Sequence, residues 1–348
     1  MAGAGAARLL LGALLAMSGC LLDVEFNKAD PGMFCVTPEE VATPPSCNGA
    51  QNECGPKRNQ FCCESPAVPC GSFIRDYDGE DFDEMDDREA TLSDFRLDAY
   101  EVTVGRFRAF VEAGQGTQQS PNPSRGAGGH PRYLNSGWDP DAYFDELAVD
   151  EEDLRAQLAC SDDLRYTWTD APGDNENKPI NCVTWYEALL FCAWDGGRLP
   201  SEAEWHYAAA GGDEQRAYPW AEPAGVITPD LAVFGCPDDR PACPTGTSIA
   251  PVGSKPSGIG RWGQYDLSGN VAEWVMDTIP DPPEGYVNPC EDCVRIGDGD
   301  RGVRGGGFST EHEDGTVDDL LVASRDAEPP SQRSHAIGFR CLRAIASP

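Results

Sequence analysis

The sequence predicts an α+β domain, rich in loops and tied together by disulfides. Three observations carry that reading. With Gly 38 and Pro 29 in 348 residues, the chain favours turns over long regular elements. Two helix-start signatures lie close together, at Thr184 and Ser201, and each helix is stopped by a glycine pair. Fifteen cysteines supply cross-links that so little regular structure needs. A hydrophobic share of 40% and eight Trp still allow a sizeable core, which argues against wholesale disorder.

Residues 1–19 read as a bacterial lipoprotein signal peptide. Arg8 is a short cationic start, Leu9 to Ala16 is apolar, and Met17-Ser18-Gly19 precede Cys20, the expected lipidation site. A secretory signal cut near Ser18 or Gly19 is the alternative. The apolar run is too short to span a bilayer. A lipid on Cys20 places the chain in the cell envelope, with the outer membrane expected because Leu21 and Leu22, not a retention Asp, come directly after Cys20. Fifteen Cys less a lipidated Cys20 leaves an even number, suited to an oxidising compartment.

Residues 20–64 are rich in Cys, Pro, Asn and Gly and read as a lipid-anchored tether, before a main domain over residues 65–348. Asp76 to Asp87 is a dense carboxylate run, read as a solvated loop because it breaks the order of a calcium loop. Ser93 to Tyr100 alternates as a strand. Thr103 then caps a helix whose Phe107, Phe110 and Val111 share a face. Residues 114–178 read as a packed irregular insertion. Thr184-Trp185-Tyr186-Glu187 and Ser201-Glu202-Ala203-Glu204 are capping boxes. They open helices that turn Trp185, Leu189 and Cys192, then Trp205, Ala208 and Ala209, inward. Short strands and turns follow, among them Tyr218 to Trp220, Val252 to Ser254, Gly263 to Trp274, Arg301 to Phe308 and Ile337 to Cys341.

Charge narrows the function. Lys+Arg 26 against Asp+Glu 59 gives a formal net charge of −33. Phosphate backbones repel such a chain, so nucleic-acid binding is excluded. Adsorption to anionic headgroups is disfavoured too, leaving the Cys20 lipid as the expected membrane contact.

Taken together, Phe95 to Gly114, Pro179 to Gly212, Tyr218 to Trp220, Tyr265 to Asp277, Arg304 to Phe308 and Ala323 to Cys341 resemble the formylglycine-generating enzyme (sulfatase-modifying factor) family, in family order. The resemblance implies a variant of the C-type lectin fold, stabilised by disulfides and calcium. It implies a Cys192–Cys341 disulfide, worth about 4 kcal/mol for so long a loop. It places calcium on the Asp266 side chain, the Gly269 and Val271 carbonyls and the Glu273 carboxylate, oxygen donors that suit a hard cation. The other reading has Asn270 and Glu273 merely hydrogen-bonding the turn. A second calcium site would use Asp230 and the Leu231 carbonyl, although its downstream Asp falls near Pro244.

The resemblance fails at the catalytic centre. Family enzymes hold copper(I) on two cysteines with four residues between them and make formylglycine with oxygen. The corresponding positions here are Glu311 and Thr316, neither of which replaces a thiolate, so copper is not expected. Ser309, Glu311, His312, Ser324 and Arg325 are the candidate pocket. Glu311-His312-Glu313-Asp314 offers donors for iron, zinc or manganese, yet adjacent side chains diverge and a polar loop is the plainer reading. Cys290-Glu291-Asp292-Cys293 is read as a disulfide. No nucleophile elbow accompanies Ser324-Arg325-Asp326 and His335. Two functions remain: a non-catalytic module for a protein, peptide or glycan, or a metal-dependent oxidase. Trp138, Trp168, Trp220 and Trp262 would line a binding surface or fill the core.

Overall fold

A computed structural model describes residues 43–48, 53–76, 88–121, 123–160, 165–221, 226–235, 249–279, 285–310 and 318–344. Cys20, the carboxylate run beyond Asp76, Pro244, Glu311, His312 and Thr316 lie outside the described residues. No helix among those described is long and apolar enough to cross a membrane.

The chain begins with strands β1 (Ala67–Val68), β2 (Gly71–Ile74), β3 (Glu89–Leu92) and β4 (Phe95–Leu97). β4 forms the expected alternating segment, with Phe95 and Leu97 buried and Arg96 between them. Helix α1 (Val104–Glu112) starts where Thr103 Oγ1 accepts the Arg106 N–H at 3.2 Å. The long insertion holds two short helices, α2 (Pro140–Tyr143) and α3 (Glu151–Gln157). Its Trp138, Leu154 and Trp168 are buried in the main core, as a packed loop requires.

Helices α4 (Trp185–Trp194) and α5 (Glu202–Ala209) carry both capping boxes in full. Trp185 to Cys192 are all buried, so α4 is enclosed on every face. It stacks Phe191 on Phe107 and sets it edge-on to Phe339 in the larger core cluster. After it come β5 (Ala272–Thr278), β6 (Cys290–Glu291), β7 (Arg301–Arg304), β8 (Arg325–Glu328), β9 (Ile337–Gly338) and β10 (Leu342–Ala344).

Three small sheets result, with strand orders β1-β4-β10, β2-β3-β6 and β8-β7-β5-β9. The last is the scaffold of the site: β7 runs antiparallel to β5 with Glu273 opposite Arg304, and β9 runs parallel to it. Tyr218 to Trp220 and Val252 to Ser254 are bends and turns, not strands. Pro219 lacks a ladder donor, and Gly253 turns back at φ 71°.

The Cys192–Cys341 disulfide expected from the family resemblance is present and closes a separation of 149 residues. Cys47–Cys63, Cys54–Cys62, Cys160–Cys182 and Cys290–Cys293 are also bonded. The described part of the stretch read as a tether packs on the domain. Its four cysteines cluster with Tyr100, Val252 and Tyr265, and Ser46 N–H reaches Asp195 Oδ1 at 2.9 Å.

Candidate functional site

The turn before β5 is fixed by residues far away in sequence. Asp266 and Asn270 adopt left-handed backbone, with φ 57° and 66°. Gly269 takes φ 88°, and a Cβ there would lie 2.5 Å from the Val233 carbonyl oxygen. Asn270 Nδ2 donates to Glu101 Oε2 at 2.7 Å, and Val271 N–H donates to Glu101 Oε1 at 3.1 Å. Asn270 Oδ1 accepts the Ala250 N–H at 2.9 Å. Glu101 was not legible as a site residue, because 169 positions separate it from Asn270.

Both carboxylates named as calcium donors for this turn already have protein partners. Glu273 is a buried partner of Arg340, which donates from Nη2 at 2.6 Å and from Nε at 2.7 Å, while Trp205 Nε1 donates to the same carboxylate at 2.8 Å. Arg340 also reaches the Asp98 and Tyr265 carbonyls. Asp266 Oδ2 accepts the Gly253 N–H at 2.6 Å. Asp230 is exposed on its own turn, and the Leu231 carbonyl is packed against Gly258. Among the described residues no cluster of three or more His, Cys, Asp or Glu is arranged to hold a metal. Asn270 hydrogen-bonds Glu101 and Ala250, while Glu273 is engaged by Arg340 and Trp205, so a calcium ion at this turn would compete with a guanidinium for that carboxylate.

Burial of three carboxylates around one guanidinium has an electrostatic cost. Burial, then Asp266 and Glu273, push the Glu101 carboxyl well above its ordinary range. Burial lifts Asp266 to about 6 against the Gly253 N–H and Arg340. Arg340 is desolvated, yet Glu273, joined by Glu101 and Asp266, more than compensates and raises it.

The loop after β7 leans on this turn. Gly269 N–H donates to the Gly305 carbonyl, and Phe308 N–H donates to the Asn270 carbonyl. Phe308 is fully buried, with the His335 ring centroid 5.8 Å away and the Arg165 guanidinium 5.9 Å from its centroid. Ser309 is half-buried beside it. Arg165, from the long insertion, had no sequence signal. Trp138, Trp168 and Trp220 are buried, which leaves Trp262 as the half-buried member of the proposed tryptophan surface.

Arg325 belongs elsewhere. It leaves β8 beside Arg304 and lies 4.2 Å from the Tyr286 ring centroid, in a cleft that also takes in Arg75, Glu202, Asp277 and Cys293. Neither Ser309 nor Ser324 lines that cleft. Asp277 accepts N–H bonds from Glu202 and Arg295 at 2.8 and 2.7 Å. Burial, reinforced by Glu202, still raises it to about 7. Glu202 Oε1 and the Tyr286 hydroxyl have no hydrogen-bond partner among the described residues, although Arg304 Nη1 stands 3.4 Å from Glu202 Oε1. No sequence pattern announced the cleft, whose walls come from four separate stretches of chain.

Comparison with known proteins agrees with this geometry. The sulfatase-modifying factor enzyme 1-like domain matches residues 51–345. A formylglycine-generating enzyme of Streptomyces coelicolor is 36% identical over 170 residues, covering 47% of this chain and 52% of that enzyme. The chain thus spans about half the length of that relative. The inactive Cα-formylglycine-generating enzyme 2 of Mus musculus is 26% identical over 292 residues, 81% of this chain and 86% of that protein. Among solved structures, PvdO from Pseudomonas aeruginosa superposes with a TM-score of 0.53 at 22% identity, covering 88% of this chain and all of that one. That neighbour speaks for the fold alone. With the domain match spanning most of its length, the chain belongs to the formylglycine-generating enzyme (sulfatase-modifying factor) family.

Proposed function

We propose that the chain is a non-catalytic, ligand-binding member of its family, lipid-anchored in the bacterial envelope through Cys20. One observation carries the loss of catalysis: no cysteine occurs anywhere between Cys293 and Cys341. No shift of register supplies the paired thiolates that copper(I) needs after the glycine turn. Every cysteine among the described residues is also disulfide-bonded, which suits an exported chain. A mouse relative that is named inactive aligns over 81% of this chain. The ligand face proposed is the loop around Ser309, where half-buried Arg165 and His335, held against the buried Phe308 ring, offer polar groups to a peptide or glycan.

Elemental analysis of the mature protein, with Cys20 omitted, tests the reading together with a sulfatase-motif cysteine peptide supplied with oxygen and copper(I). The expected result is no aldehyde on the peptide and no stoichiometric copper, iron or manganese. Aldehyde formation, or a redox metal lost in Glu311→Ala and His312→Ala, would overturn it in favour of a metal-dependent oxidase.

A further inference from the structure

Two buried oxygens in the cleft beside Tyr286 are left unanswered by the protein around them. Glu202 Oε1 and the Tyr286 hydroxyl are shut off from solvent and make no hydrogen bond among the described residues. Both residues line the same cleft. Polar atoms taken out of water without a partner lose hydration that nothing returns, so a pair of them facing one space points to a ligand.

The other polar groups of the cleft are already engaged. Asp277 accepts the Glu202 and Arg295 N–H groups, one on each oxygen. Arg75 donates to the carbonyls of Arg88 at 3.0 Å and Val287 at 2.8 Å. The Arg75 and Arg325 guanidiniums lie 4.5 and 4.2 Å from the Tyr286 ring centroid. Arg295 Nη2 donates to the Gly285 carbonyl at 2.6 Å. Side chains thus grip residues 285–287, and the Tyr286 hydroxyl is the one part of that grip without a counterpart.

Size and charge choose the ligand. The volume of the cleft is about 10 Å³, room for about one water. A cation there would meet Arg75, Arg295 and Arg325, and an anion would meet Glu202 and Asp277. A neutral molecule that both accepts and donates conflicts with neither set. Burial, then Glu202, hold the Tyr286 phenol above its ordinary range, so it keeps its proton and can donate.

We propose that the Tyr286 cleft is a binding site for one ordered water, which accepts the Tyr286 O–H and donates to Glu202 Oε1, fastening residues 285–287 to the first turn of α5. Two partners meet the minimum that a buried water needs. The site is separate from the ligand face around Ser309, a residue that does not line the cleft.

The test is a crystal structure of the mature protein grown in sodium bromide, at a resolution that shows ordered water. One peak is expected within about 2.6–3.2 Å of both Glu202 Oε1 and the Tyr286 hydroxyl oxygen, without the anomalous signal of bromide. An empty cleft, a bromide signal there, or a peak touching only one of the two oxygens overturns the proposal. Tyr286→Phe keeps the ring beside Arg75 and Arg325 and removes only the hydroxyl. Amide exchange in the peptide covering residues 285–291 is expected to quicken about fivefold in that variant. Unchanged exchange would overturn the fastening role. If Tyr286→Phe does not fold, the density in the wild-type crystal decides.

Discussion

At Glu204 one carboxylate closes a helix cap and neutralises a buried cation. Its oxygens accept the Ser201 N–H at 2.8 Å and two Arg198 donors at 2.7 and 2.5 Å. Burial by itself raises such a carboxyl, but Arg198 outweighs it and holds the group well below its ordinary value of 4.5. A depressed acid contributes stability above its unfolded value and loses it as pH falls below that value. Glu204→Gln is therefore expected to cost about 3 kcal/mol at neutral pH, since Arg198 is left unpaired. The deficit should shrink when urea midpoints are measured at pH values below 4 to 5. A deficit independent of pH would contradict the pairing. Gly269 is the second residue-scale test. A methyl group there meets the Val233 carbonyl at 2.5 Å on a left-handed backbone, so Gly269→Ala should cost about 2 kcal/mol or more in denaturant unfolding.

At the scale of elements, the capping boxes were read directly from sequence because both partners lie within one turn. The structure adds what the pattern could not hold. Glu187 caps α4 and also pairs with Arg333, at 2.5 Å from its Nη2, across 146 positions. Thr184→Ala should thus cost about 1 kcal/mol, as an ordinary cap does. Glu187→Ala should cost on the order of 3 kcal/mol, because Arg333 loses its carboxylate as well. Chemical denaturation of the two variants checks the difference, and equal losses would mean that the Arg333 pair contributes nothing. Strands were harder to read than helices. Most are two to four residues long, too short for period-two alternation to stand out, and β5 is buried along its whole length, so it does not alternate at all.

For the molecule as a whole, cross-links and buried ion pairs hold together a chain with little regular structure. Replacing both Cys192 and Cys341 by Ala is expected to cost about 4 kcal/mol, read as a fall in melting temperature. Chelation is expected to do almost nothing, because Arg340 occupies the Glu273 carboxylate. A melting temperature lowered by EDTA by more than about 4 °C, roughly 1–2 kcal/mol in a domain this size, would restore calcium to the turn. The sequence by itself determined the family, the two capped helices, the α1 cap and the oxidised character of the cysteines. Each of these depends on residues close together in the chain or on motif order, so spacing alone reveals them. Only the tertiary structure decided that Glu101 clamps the Asn270 turn, that Arg340 claims Glu273, and that Arg325 turns away from Ser309 toward Tyr286. These contacts join segments far apart in the chain, and in the buried interior a charge takes whichever partner the fold brings within reach.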